Sequence, residues 1–206
     1  MQTNKIYKPR KIYKPREDSF FLRDEIKNYA DKHIKGKRKL RALDIGTGSG
    51  ILAEEAAKYC DEVLAVDINP EVVEHAKLSI KNSNISFRLS NLFLNVLGKF
   101  DLIIFNPPYL PNHPKLKDIA LDGGKKGYEL VQRFIEEASD YLTSNGKILL
   151  LISSFTKKAS VERIMKKNNF NFEIVGEKKL DFEKLYVYIM KKAKKAKKAK
   201  SKTKIG

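Results

Sequence analysis

From residue 40 onward, short apolar runs alternate with segments of helical periodicity, and most of the runs close on a residue that breaks a strand. Leu40 to Ile45 reads as a buried strand ending in glycines, Ile51 to Tyr59 as a helix, and Val63 to Val66 as a second strand closed by Asp67. Pro70 stands where a helix start favours proline, because an N–H there has no partner in the helix, and this helix runs to about Ile80. Ile85-Phe87-Leu89 alternates as a strand does, and Phe100 to Phe105 is a fourth strand stopped by Pro107-Pro108. After a Pro-, Asp- and Gly-rich loop over 106–126, Leu130, Val131, Phe134, Ile135, Ala138, Tyr141 and Leu142 mark one buried helix face by their three-four spacing. Asn145-Gly146 is expected to end that helix. Lys147 to Ile152 is the next strand and 156–168 the next amphipathic helix. Two strands near 172–176 and 184–190 have no helix-length segment between them, so they should pair antiparallel. Such alternation buries a mostly parallel sheet between helices. The expected fold is an α/β, Rossmann-like sandwich with a seven-stranded, mostly parallel sheet and one antiparallel strand near the C-terminus.

In sheets of this kind ligands bind beyond the carboxyl ends of the strands. The glycine loop, Asp67 and Asn106-Pro107-Pro108-Tyr109 all follow strand ends and therefore share one edge. In Asp44-Ile45-Gly46-Thr47-Gly48-Ser49-Gly50 the glycines let the backbone turn sharply and approach a ligand closely. The sixth position of a dinucleotide fingerprint would be Ile51, so the loop suits a cofactor with an amino-acid tail rather than a pyrophosphate. Asp67, about 20 residues on, is placed to accept hydrogen bonds from both hydroxyls of a ribose.

Asn106-Pro107-Pro108-Tyr109 carries the acceptor chemistry. An amide or aromatic amine is a poor nucleophile because its lone pair is delocalised. A site that methylates it must accept both N–H hydrogens and turn the lone pair toward the methyl donor. The Asn106 side-chain oxygen can accept one hydrogen, and the Pro107 carbonyl, held by rigid prolines, the other. Tyr109 can pack on the planar group and exclude water. The motif indicates methyl transfer to nitrogen; it does not separate glutamine side chains from adenine or cytosine amines.

Residues 40–109 resemble a class I methyltransferase core, which implies S-adenosylmethionine lying across Gly46, Gly48 and Asp67. By that resemblance Asn91 occupies the adenine-contacting position, where the family usually has aspartate. The segment Tyr13-Lys14-Pro15-Arg16-Glu17-Asp18-Ser19-Phe20-Phe21-Leu22, opening a helix near Glu17, resembles the N-terminal signature of the short HemK-type protein methyltransferases. Asp122-Gly123-Gly124 with Gly127 is similar to that family's loop before the next helix. The resemblance covers roughly residues 13–191. It implies a cofactor-binding set of Glu17, Asp18, Ser19, Asp44, Gly46, Gly48, Asp67, Ile68, Asn91, Leu92 and Asn106, a catalytic set of Asn106, Pro107, Pro108 and Tyr109, and no metal. It further implies methylation of the glutamine in the Gly-Gly-Gln motif of a class I translation release factor, with a small zinc-binding activator subunit covering an apolar edge. The alternatives are methylation of adenine or cytosine amines in RNA or DNA, and of protein lysine. Asp18 or Ser19 can also be read as a cap of the opening helix, and Asp67 as a cap ahead of Pro70.

The remaining features bound the setting. The 206 residues suit one domain over 13–190. A single cysteine excludes a disulfide framework within the chain, and three scattered histidines form no metal spacing. No apolar run approaches the length of a membrane span, which points to the cytoplasm. A tandem hexad, Lys5 to Arg10 and Lys11 to Arg16, reads as a duplication in a flexible basic arm over 1–12. Net charge is +17, and nine lysines fall within 191–206. Like charges repel and little apolar surface offsets the ordering entropy, so this tail is expected to be disordered. It suits contact with RNA or the ribosome.

Overall fold

A computed structural model describes residues 14–34, 36, 39–108 and 128–193. The elements in chain order are α1 (Glu17–His33), β1 (Arg41–Ile45), α2 (Ile51–Ala56), β2 (Glu62–Asp67), α3 (Pro70–Ser79), β3 (Ile85–Leu89), β4 (Phe100–Phe105), α4 (Glu129–Ala138), β5 (Leu142–Ser153), α5 (Lys158–Lys167), β6 (Phe170–Lys179) and β7 (Lys184–Lys192). They build one seven-stranded sheet in the order β3-β2-β1-β4-β5-β7-β6. All neighbours pair parallel except β7, which runs antiparallel to both β5 and β6. The expected α/β sandwich with one antiparallel strand is the fold observed.

Strands buried on both faces explain the unbroken apolar runs of the sequence. In β4, Leu102 and Ile104 face α1 and α2 together with Ala42, Leu149 and Leu151. Ile103 and Phe105 face the opposite core with Phe134 and Ile135 of α4 and Val161 and Met165 of α5. Pro70 opens α3 as expected, and the cap before it is Asn69, whose side chain accepts from the Glu71 N–H. The sheet order reverses between β1 and β4, where Ile45 lies beside Phe105. That switch point puts the residues after the two strands, Gly46 and Asn106, next to each other, at the place where such sheets bind ligands. Among the described residues no helix is long and apolar enough to cross a membrane.

Two boundaries differ from the sequence reading. The periodic segment from Leu130 does not run as a helix to Asn145-Gly146: α4 ends at Ala138, one 3-10 turn follows over Ser139–Tyr141, and β5 already starts at Leu142. The pairs Phe100↔Leu142 and Leu102↔Lys147 flank a bulge on β5, and Asn145-Gly146 sits within it. The glycine serves backbone approach rather than helix termination, since a Cβ there would lie 2.7 Å from the Phe100 carbonyl oxygen and 2.8 Å from Leu142 Cδ2. At the other end β7 continues through Lys192, where Lys191 and Lys192 pair with Asn171 and Phe170. The basic arm over 1–12 and the lysines from 194 onward lie outside the described residues.

Gly146→Ala is therefore expected to destabilise the fold by about 1–3 kcal/mol, the usual range for an overpacked site. Urea unfolding checks it: the midpoint should fall while the slope stays constant.

Candidate active site

Three loops at the carboxyl edge and the first turn of α1 build the site. After β1, Gly46 and Gly48 take positive φ values of 67° and 53°, a region that costs a side-chain-bearing residue energy. A Cβ at Gly46 would stand 3.7 Å from the Phe105 ring and one at Gly48 3.9 Å from the Gly46 carbonyl oxygen, ordinary contacts, so backbone conformation and not crowding favours glycine here. The loop is tied to the end of β2: the Thr47 N–H donates to the Val66 carbonyl at 3.0 Å, and the Gly48 N–H to Asp67 Oδ2 at 3.0 Å. Asp67 Oδ1 accepts from the Asn69 N–H at 2.9 Å. Each carboxylate oxygen thus has a backbone donor and retains accepting capacity, while a cap for α3 is supplied by Asn69 instead.

Asp44 is fully buried on β1 and accepts from the Thr47 hydroxyl at 2.7 Å through Oδ2. Its Oδ1 is buried with no hydrogen-bond partner among the described residues. Burial pushes the Asp44 carboxyl up to about 7, with the Thr47 hydrogen bond opposing and the nearby Asp67 charge adding to the rise. Burial raises Asp67 as well, against the backbone N–H bonds from Asn69, Gly48 and Ile68. Asp44 is buried and Asp67 partly exposed, and the charge on Asp67 disfavours that on Asp44.

After β4, Asn106 and Pro107 follow the strand that ends beside Gly46. The Asn106 side-chain amide donates from Nδ2 to Asp18 Oδ2 at 3.0 Å. A carboxylate can only accept, so this bond fixes which end of the amide is oxygen. Asn106 Oδ1 then points away from Asp18 and is buried without a partner among the described residues. Asp18 and Ser19 lie buried in the first turn of α1, whose N-cap position is Arg16, so neither acts as a helix cap. Glu17 beside them is exposed.

The remaining expected residues sit where the strand ends put them. Ile68, half exposed, follows Asp67, and the Ser90 N–H joins the ends of β2 and β3 by donating to the Asp67 carbonyl at 2.8 Å. Asn91 is exposed and Leu92 buried with a φ of 50°. Arg133 of α4 reaches Asn91 Oδ1 at 3.5 Å. Tyr109 and the glycine segment 122–127 lie outside the described residues. Sequence reading grouped Asp18 with the cofactor residues and did not foresee its bond to Asn106, 88 positions away. The approach of Arg133 to Asn91 carried no linear signal either.

The family model described as "Methyltransferase small domain" matches residues 29–183. A Methanocaldococcus jannaschii protein provisionally named as a protein N5-glutamine methyltransferase is 42% identical over 184 residues, covering 85% of this chain and 89% of that one. The release factor glutamine methyltransferase of Haemophilus influenzae is 34% identical and matches 76% of this chain, which spans only 61% of that relative's length. Among solved structures, the E. cuniculi Mtq2–Trm112 complex, responsible for methylation of the eRF1 translation termination factor, superposes with a TM-score of 0.70 at 23% identity, over 88% of this chain and 98% of that one. The chain has the fold of the class I methyltransferases. It belongs to the methyltransferase small domain family and is an enzyme of that family.

The Asp44 carboxyl gives the site a pH signature. In the folded protein it holds its proton to about pH 7, whereas its ordinary value is 3.8. The folded state therefore binds more protons between those limits, and the stability this group contributes is complete below about pH 4 and lost as pH rises through 7. Ligand-free protein should lose stability from pH 5 to pH 8, and Asp44→Asn should flatten that slope. Urea unfolding of both proteins at the two pH values checks it.

Proposed function

We propose that this enzyme transfers a methyl group from S-adenosylmethionine to the side-chain amide nitrogen of a glutamine, the one in the Gly-Gly-Gln motif of a translation release factor. The observation that carries the reading is the buried, unpartnered Oδ1 of Asn106, held in place by Asp18. A buried acceptor without a donor costs free energy, and a substrate N–H removes that cost.

The residues present fit S-adenosylmethionine. Asp67 is partly exposed and retains capacity for ribose hydroxyls, the positive φ of Gly46 and Gly48 bends the loop so that its backbone can approach an amino-acid tail, and the Asp44 and Asp67 carboxyls suit a ligand carrying an ammonium and a sulfonium. Asp44, Ile68, Asn91 and Leu92 complete the cofactor side, and Glu17, Asp18 and Ser19 close it from α1. Bound there, the cofactor supplies an electrophilic methyl group. The chain's own residues do the rest. Asn106 Oδ1 accepts one N–H of the substrate amide, the Pro107 carbonyl accepts the other, and Tyr109 packs over the planar group and keeps water out. The amide plane is thereby fixed with its lone pair facing the cofactor. The gain is positioning and electrostatic preorganisation, with no general base needed before attack.

The release factor is favoured as substrate by the names of the curated relatives. A small zinc-binding subunit is proposed as partner, on the edge strand β3. Leu89 there is half exposed, and Leu94 and Leu97, just beyond, are 78% and 76% exposed, more apolar surface than an uncovered edge usually carries. The Lys-rich tail then serves non-specific contact with RNA or the ribosome in the cytoplasm.

The test is methyl transfer from labelled S-adenosylmethionine to a release factor, to the same factor with its Gly-Gly-Gln glutamine replaced, and to total RNA and DNA. Label should appear on the intact factor alone. Asn106→Ala should abolish it while the cofactor affinity by calorimetry stays within about twofold. Label on nucleic acid alone would contradict the reading.

A further inference from the structure

The sheet places a second feature on the edge that carries Asn106. Because β7 runs antiparallel, its first residues lie at the carboxyl end of β5, with Leu185 paired to Ser153. The turn joining β6 to β7, residues 180–183, therefore projects past the same edge as the end of β4. At its tip Phe182 is 92% exposed, the most exposed large apolar side chain among the described residues.

Single exposed apolar residues are ordinary. This one differs in how it is held. The Leu180 N–H donates to the Glu183 carbonyl at 2.8 Å, closing the turn, and Leu180 packs against the core beneath α1. The Ser153 hydroxyl donates to the Glu183 carboxylate, and the Lys184 N–H to Ser154 Oγ at 3.1 Å, which fixes the turn to the end of β5. Lys184 also pairs with Glu177 across the hairpin. The phenyl ring is thus presented on a braced scaffold, and little ordering entropy remains to oppose its burial against a partner. Its immediate neighbours are Asp181, exposed, and Glu183, whose carboxylate accepts from Ser153, and the pair Lys179 and Lys184 closes the base of the turn. The turn thus presents an aromatic ring with charges of both signs around it. That suits a polypeptide surface with an apolar pocket and a polar rim.

We propose that the β6–β7 turn is a docking element for the protein substrate, with Phe182 as the anchor that enters an apolar pocket on the release factor and Asp181 facing basic residues at the pocket's rim. The proposal rests on the release-factor reading given above. It implies that affinity for the folded substrate comes partly from a site separate from the methylated residue. The turn should therefore matter for a whole protein and not for a short peptide.

The experiment compares wild type, Phe182→Ala and Asp181→Lys on an intact release factor and on a short peptide containing its Gly-Gly-Gln sequence, with cofactor affinity measured by calorimetry. Phe182→Ala is expected to raise KM for the intact factor roughly tenfold or more, as the loss of an aromatic anchor does, with kcat and cofactor affinity unchanged. Asp181→Lys should also raise that KM, and the peptide should be methylated equally by all three. An unchanged KM for the intact factor, or equal losses on factor and peptide, would overturn the docking role while leaving the release-factor reading standing. Wild-type enzyme that methylates neither would overturn that reading, and the docking role with it. A KM rise confined to an RNA acceptor would assign the tip to nucleic acid instead and likewise overturn it.

Discussion

The hydrogen bond from Asn106 Nδ2 to Asp18 Oδ2 joins the first turn of α1 to the end of β4, the two segments that the rest of the site is arranged around. Without it the amide of Asn106 is free to turn over, and its oxygen and nitrogen exchange places at little cost. With it, the oxygen has one direction to face, and it is buried without a donor among the described residues. An acceptor kept dry and unpaired is worth more to an incoming N–H than one already solvated. On the proposed function the helix before the sheet is part of the chemistry, because its packing on α2 and β5 holds Asp18 at its bond to Asn106.

The cofactor side follows the same physical pattern. Asp44 and Asp67 lie at the ends of adjacent parallel strands, both with carboxyls raised chiefly by burial. The protein holds two acids near one another without a basic side chain in bond contact with either in the described residues. Asp44 avoids a second full charge beside Asp67 by holding its proton to about pH 7. Reversal of strand order between β1 and β4 brings these acids beside Asn106, so that on the proposed function donor and acceptor sites meet across one strand boundary.

Much of this was legible in the sequence because it rests on local rules. Pro70 at the start of α3 and the apolar run of β4 each announce their element through backbone chemistry or burial within a few residues. Gly46 and Gly48 announced a tight loop in the same way. The sequence misled where a residue type serves two purposes. Asn145-Gly146 looks like a helix terminator, yet it fills a bulge whose need arises from the β4 backbone, more than forty positions upstream. The bond from Asn106 to Asp18 was illegible for a related reason, since the two residues lie 88 positions apart. Phe182 stood in the sequence as one more aromatic between two strands. Only the antiparallel insertion of β7 puts it on the active-site edge.

The most direct measurement on the orientation of Asn106 is single-turnover methylation by Asp18→Ala beside calorimetry of its cofactor binding. The expected result is a rate at saturating cofactor lower by about 100-fold, the scale of a misplaced reacting group, whatever the loss of Asp18 does to cofactor affinity. An unchanged rate, or a rate loss explained entirely by weaker cofactor binding, would contradict the role of Asp18 as the residue that orients Asn106.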